Sequence, residues 1–424
     1  MKGGVMDREK LALEGGSPVR RRPFPYKCIG GNLLGREELA LVREVIGNKT
    51  LFRHYGPKPP HMVDDLEREF RVLIGTRYAL ATATGSGAYF CAAAALGIGE
   101  GDEVIIPAYG WITNYNAIAL TGATPVFADI DESLSINPGS FESKITPRTK
   151  AVMVIHYQGG ASRLDEIVAI AKAHGVKVIE DVAQSCGGTF GGRKLGTWGD
   201  IACFSLQAHK MITTGDGGLL ATDSQELYEK AVRFHDLGLL RERFVRNLES
   251  PVKTAPLCGM QWRMSELTGA VGLAQLRKLP RIVEAAHGNF IVVRDELRRR
   301  FPKLKFRRVL PENDIGITLA FDLESYKNVE YFRAAWEAEG LAYGPTSYCQ
   351  TMGDIGVVKS LLQNAGRFDA GSFTATREIE QRFAMVAILP VYSERDIAEI
   401  CRGMAKVLGA MERKTLIWNS TAQA

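Results

Sequence analysis

The stretch SLQAHKMITTGDGG, residues 205–218, places a serine, a histidine, a lysine and a glycine-framed acidic turn within fourteen positions. A lone lysine in such a turn is ordinarily solvated. Held in a desolvated cleft instead, its amine gives up a proton more readily and becomes a nucleophile toward carbonyl carbon. Asp181 stands 29 residues earlier at the end of VKVIED, with Gln184 shortly after it. A carboxylate following such an apolar run is costly to bury unless a cation or several donors meet it. The turn TGSGA, residues 84–88, opens a helix-like segment and offers backbone N–H groups and a hydroxyl suited to an anion such as phosphate. Small residues in a strand-to-helix turn also serve tight packing, so this turn gains meaning only from its company. Trp111 has a face large enough to cover an aromatic ring, a role that competes with an ordinary core position. His156 reads as a hydrogen-bonded structural histidine.

These residues are positioned by a regular alternation of strands and helices. Runs of β-branched and small apolar residues at 79–84, 102–108, 124–130, 151–156, 176–181, 201–206 and 217–222 read as seven strands. Helical patterns such as AYFCAAAALGIG and SRLDEIVAIAKAHG lie between several of them, the second closing on Gly175. Alternation of this kind calls for crossover connections and a mostly parallel sheet covered on both faces. Ligands of open α/β sheets sit beyond the carboxyl ends of the strands, where Ser86, Trp111, Asp181, Ser205 and Lys210 all fall. An aspartate for a protonated ring nitrogen, a lysine for an aldehyde as a Schiff base, and Ser86, Ser205 and the glycine turn for a phosphate together describe a site for pyridoxal 5′-phosphate. From about residue 263 a long helical pattern leads into an α+β region containing IGITLAFDL, EYFRAAWEAEG and ERDIAEICRGMAKVLGAM.

Composition narrows the class. The chain of 424 residues is 46% hydrophobic and 24% charged, with a net charge of +5, as expected of a globular protein of more than one domain. No apolar run approaches the roughly 20 residues of a membrane span, and the first residues do not read as a secretory signal, so a cytoplasmic protein without a membrane partner is expected. Seven scattered cysteines without a CxxC pair suit buried thiols, and no metal site is expected. The arginine triplets at 20–22 and 298–300 read as solvated faces, so no nucleic-acid partner is expected. No strand runs into a G-x-G-x-x-G turn, which disfavours a nicotinamide-dependent oxidoreductase.

Three segments carry a resemblance: ALATATGSGAYFCAAAALGIGEGDEVIIPAYGWITNYNAIALTGATPVFADID, VIEDVAQSCGGTFGGRKLGTWGDIACFS and HKMITTGDGG. They resemble the DegT/StrS-type sugar aminotransferase family of fold type I pyridoxal-phosphate enzymes, with similarity from about residue 30 to 285. The resemblance implies an aspartate-aminotransferase-like α/β fold: a three-layer αβα large domain (35–285) with a mostly parallel seven-stranded sheet, after an N-terminal arm (1–34) and before a smaller α+β C-terminal domain (286–424). It implies Lys210 as the Schiff-base lysine and Asp181 as partner of the pyridine nitrogen. Gln184 is then near the phenolic oxygen, Trp111 on the ring, and Gly85, Ser86 and Ser205 around the phosphate. It implies a homodimer with shared active sites, in which a loop of the neighbouring subunit completes the phosphate site. That loop carries Gln261, Trp262, Arg263 and Met264 where the family commonly has Asn-Tyr-Arg-Met. Gly110 replaces a usual threonine, which is expected to open space over the ring, and Asp216 replaces a usual glutamate. The implied activity moves an amino group from L-glutamate or L-glutamine to a keto-sugar or keto-cyclitol in amino-sugar, aminocyclitol or related secondary-metabolite biosynthesis such as that of antibiotics. SLQAHK, with Gln207, looks more like members that aminate cyclitol ketones. Two alternatives remain at this level: a pyridoxamine-phosphate-dependent sugar dehydratase, whose relatives carry histidine in place of the lysine, and a non-catalytic regulator on the same fold.

Overall fold

A computed structural model describes residues 10–344 and 349–418. The ends of the arm and of the C-terminal region, and residues 345–348, lie outside the described residues.

The seven expected strands form one sheet: β1 (Tyr78–Thr82), β2 (Glu103–Pro107), β3 (Thr124–Ala128), β4 (Thr149–Ile155), β5 (Lys177–Asp181), β6 (Ile201–Ser205) and β7 (Gly218–Thr222). Their spatial order is β1-β7-β6-β5-β4-β2-β3. The pairs from β6 through β3 are parallel, whereas β7 runs antiparallel to both β6 and β1. The reversal follows from chain length. Residues 206–217 are too few for a crossover with its helix, so the chain returns beside β6, and this return loop carries Lys210.

Both faces of the sheet are covered, and strand alternation divides its residues between two cores. Leu80, Ile106, Met153, Ile179 and Cys203 belong to one buried cluster with α2 (Gly85–Ala95) and α3 (Ile112–Ala119). Ala81, Ile105, Val152, Val178 and Phe204 belong to the other, with α1 (Met62–Ile74), α4 (Leu164–Ala173) and α5 (Glu266–Arg300). The Ala-rich sequence of α2 lets its backbone lie close to the strands. The 35 residues of α5 extend about 50 Å at 1.5 Å per residue. It runs unbroken through position 285 and passes Pro280. Beyond it, β8 (Lys305–Phe306), β9 (Thr318–Asp322) and β10 (Phe383–Ala387) form an antiparallel sheet packed with α6 (Tyr326–Ala338) and α7 (Glu394–Arg413). This second region reaches back to the first: Tyr109 and Gly110 pair antiparallel with Thr351 and Gln350.

One sequence expectation is overturned here. The 20–22 arginine cluster is not wholly a solvated face, because Arg20 is 3% exposed. Its guanidinium meets Asp396 at 2.7 Å and Glu399 at 2.5 Å and lies 3.5 Å from the Phe24 ring centre. Two carboxylates on α7, distant in sequence, make that burial tolerable.

The start of α1 has no side-chain cap of its own. Glu266, in the first turn of α5, supplies it: one oxygen accepts the N–H groups of His61 and Met62 at 2.9 and 2.8 Å, and the other that of Val63 at 3.3 Å. Glu266→Ala would strand these donors in a buried place. The variant is expected to lose about 2–3 kcal/mol of unfolding free energy, read as a lower urea midpoint at unchanged slope.

Candidate active site

Central strand β5 ends on Asp181, which is 4% exposed. Its carboxylate accepts Asn114 Nδ2 at 2.7 Å and the Ala183 N–H at 3.0 Å, and Tyr89 lines the same cavity as Asp181. Burial and then the nearby Asp181 charge hold that tyrosine hydroxyl well above its ordinary pKa. Asp181 faces a cavity of about 280 Å³, which also receives Ser86, Trp111, Gln184, Ser205 and Lys210. The lysine backbone is fixed at both ends, its N–H donating to Gln207 O at 2.9 Å and its carbonyl accepting the Gly30 N–H at 3.0 Å. Burial lowers the Lys210 amine below the ordinary lysine range, opposed by Cys349 and Asp181 nearby.

Just past the end of β1, Thr84 caps α2 by accepting the Gly87 N–H at 2.9 Å. The first-turn amides of Gly85 and Ser86 have no place in the helix's own ladder and carry its positive end. Gly85 is required by contact: a Cβ there would come within 2.9 Å of Ser205 Cβ. The helix start and the end of β6 thus form a close cradle, with Ser86 Oγ also 3.4 Å from Thr113 Oγ1.

Trp111, at the N-cap of α3, is 49% exposed and lies on the cavity wall. Gly110 does not open space over the ring position, contrary to the sequence expectation. A Cβ there would fall 2.7 Å from Ile155 Cδ1 and 3.2 Å from Met352 Cε, so the glycine admits neighbouring side chains instead. Gln184 is held by Gln158 Nε2, 2.8 Å from its Oε1, and its Nε2 donates to Cys349 Sγ at 3.2 Å. Gln261 is exposed and does not line the cavity of its own chain. Its neighbour Trp262 stacks on Phe90 of α2, and its carbonyl accepts the Ala83 N–H at 2.6 Å. His156 takes the structural role expected of it: Nδ1 accepts the Ser162 N–H and Nε2 faces Glu180 at 3.2 Å.

Sequence reasoning missed Tyr89, Thr113, Asn114 and Cys349, which also line the cavity. Tyr89 lies one turn beyond Gly85 and Ser86 on the same helix, a signal that could have been used. Cys349 arrives from the distant C-terminal region, and local spacing carries no trace of that.

The assembled groups suit a phosphorylated aldehyde with a basic ring nitrogen: an amine of lowered proton affinity, a buried carboxylate, and a helix start with hydroxyls in a cradle that a Cβ would fill. No group of three metal-ligating side chains is found among the described residues. No helix among them is long and apolar enough to cross a membrane.

Comparison with known proteins agrees with this chemistry. The model of the DegT/DnrJ/EryC1/StrS aminotransferase family matches residues 32–320. The aminotransferase TlmJ from Streptoalloteichus hindustanus is similar in structure at 25% identity and a TM-score of 0.73, covering 89% of this chain and 97% of its own. NtdA from Bacillus subtilis, solved with its cofactor pyridoxamine phosphate (PMP), is similar at 22% identity and 0.72, covering 92% and 87%. A GDP-4-keto-6-deoxymannose-3-dehydratase, ColD, is similar at 23% identity and 0.73, covering 88% and 98%.

The burial of Lys210 has a measurable consequence without any ligand. Its folded pKa is depressed, so between that value and 10.5 the unfolded chain binds more protons and wild-type stability rises with pH. Apoprotein carrying Lys210→Met is expected to be more stable than wild type at pH 7. The difference should shrink as pH climbs toward 10.5, as read by urea unfolding across that range.

Proposed function

Because the chain belongs to the DegT/DnrJ/EryC1/StrS aminotransferase family and is a pyridoxal-phosphate-dependent aminotransferase, we propose that it moves an amino group from L-glutamate or L-glutamine to the ketone of a keto-sugar or keto-cyclitol. The observation that carries this reading is the shared cavity of Lys210 and Asp181 at the carboxyl ends of the central strands. When bound, the cofactor supplies an electron sink and a carrier for nitrogen between two half-reactions.

In this assignment Asp181 meets the pyridine nitrogen. Ser86, Ser205 and the Gly85 amide hold the phosphate, Gln184 neighbours the phenolic oxygen, and Trp111 covers the ring. Lys210 would hold the cofactor through its amine, and the same amine would take a proton from the donor's α-carbon and return one on the other side of the transfer. That duty needs an amine free of its proton near neutral pH, and the burial of Lys210 acts in this direction.

Gln207 supports a hydroxyl-rich acceptor. Its Oε1 accepts the His209 N–H at 2.9 Å, which orients the amide at the cavity wall near Lys210. Gln261, exposed on the segment that Trp262 anchors beside α2, is assigned to the phosphate site of a second copy in a homodimer. The dehydratase reading has less support, since the catalytic position holds Lys210 while His209 is anchored through Nδ1 on Lys27 O at 2.8 Å. A regulator without chemistry has no use for the desolvated amine.

Holoenzyme mixed with L-glutamate is expected to lose its visible cofactor absorbance and release one equivalent of 2-oxoglutarate, measured with glutamate dehydrogenase. Lys210→Ala should reduce multiple turnover to background while leaving the fold intact by circular dichroism. A variant retaining multiple turnover would refute the role given to this lysine.

A further inference from the structure

Asn114 is 1% exposed and is engaged on both sides of its amide. Nδ2 donates to Asp181 Oδ2 at 2.7 Å, and Oδ1 accepts the Trp111 backbone N–H at 3.1 Å. Met153 Sδ lies 3.1 Å from the same Nδ2 and closes that side. The two polar partners are the residue assigned to the ring nitrogen and the residue assigned to the ring face.

We propose that Asn114 is a positioning residue whose single amide fixes the ring-nitrogen carboxylate and the ring-covering tryptophan relative to one another. The proposal rests on the assignment of Asp181 and Trp111 given above.

Helix capping alone does not account for the residue type. The cap of α3 needs only an acceptor three residues into the helix, which a carboxylate side chain also supplies. Asparagine adds a donor at the other end, and here that donor is spent on a buried carboxylate, where hydrogen bonds are strongest. An amide N–H can only donate, so Oδ2 is held as an acceptor, while the Ala183 N–H holds Oδ1 in the same way at 3.0 Å. Two donors on two oxygens fix the rotation of the carboxylate. The same amide holds the backbone from which the tryptophan ring projects, so the edge and the face of the bound heterocycle share one reference.

The test uses holoenzyme loaded with ring-¹⁵N pyridoxal 5′-phosphate. NMR reads the protonation of the ring nitrogen, and dialysis reads cofactor affinity. Asn114→Leu keeps the branched shape, with bulkier ends, and removes both bonds; it is expected to shift the ring ¹⁵N resonance toward the unprotonated position. Its cofactor dissociation constant should rise at least about tenfold, and kcat should fall about tenfold to a hundredfold. Asn114→Asp keeps the cap but turns an acceptor toward Asp181, and at pH 8 it should be impaired at least as much. If either folded variant matches wild type in ¹⁵N shift and cofactor affinity, the proposal fails; should leucine prevent folding, the aspartate variant decides alone. Asp181→Asn serves as the control. If it leaves the ¹⁵N resonance unmoved, the assignment of Asp181 is wrong, whereas a shift there without one at position 114 overturns only the role of Asn114.

Discussion

A carboxylate and an amine withdrawn from water into one cavity are the constraint on which this structure depends. Each charged group loses hydration, and neither is stable there unless the fold supplies partners at fixed positions. Asp181 receives its partners from two separate elements: the amide of Asn114 on α3 and the backbone of Ala183 just past β5. Lys210 gets no comparable set among the described residues, and desolvation lowers its affinity for a proton. The asymmetry suits the two duties, since one group must remain an anion and the other must shed a proton to react.

Strand alternation decides which acid does this work. VIED places Glu180 and Asp181 side by side, and either could be read as the buried carboxylate. Successive side chains of β5 point to opposite faces. Glu180 turns away from the cavity, where it accepts the N–H groups of Gly196, Trp198 and Gly199 at 2.6–2.8 Å and faces His156. It organises the loop between β5 and β6, and so helps set the strand from which the lysine loop departs. One tetrapeptide therefore serves both scaffold and chemistry.

The seven strands and the residues at their carboxyl ends were legible because β-branched runs and small-residue turns are local signals. The direction of β7 was not, since an alternation of strands suggests crossovers and only the shortness of 206–217 argues otherwise. Gly110 misled because an absent side chain was read as empty space, whereas Ile155 and Met352 occupy it. Arg20 looked solvated because its two carboxylates lie nearly four hundred residues away on α7. Asn114 carried no signal of its own: a polar residue in a short helix becomes informative only when its neighbour across space is known to be Asp181.

The misses at Arg20 and Cys349 share a physical origin: their partners are far away in sequence. The groups assigned to the cofactor sit on single strand ends and are placed by local structure. The C-terminal region adds to this site from a distance: Cys349 meets Gln184 on the cavity wall, and behind the wall Met352 lies beside Gly110 and Thr351 pairs with Tyr109. The C-terminal region thus reaches the cavity wall through Cys349, while the positions of Asp181 and Lys210 are left to β5 and the β6–β7 loop. The two strand-end groups can therefore be read from short stretches of sequence, while the part of the wall that Cys349 supplies depends on long-range packing.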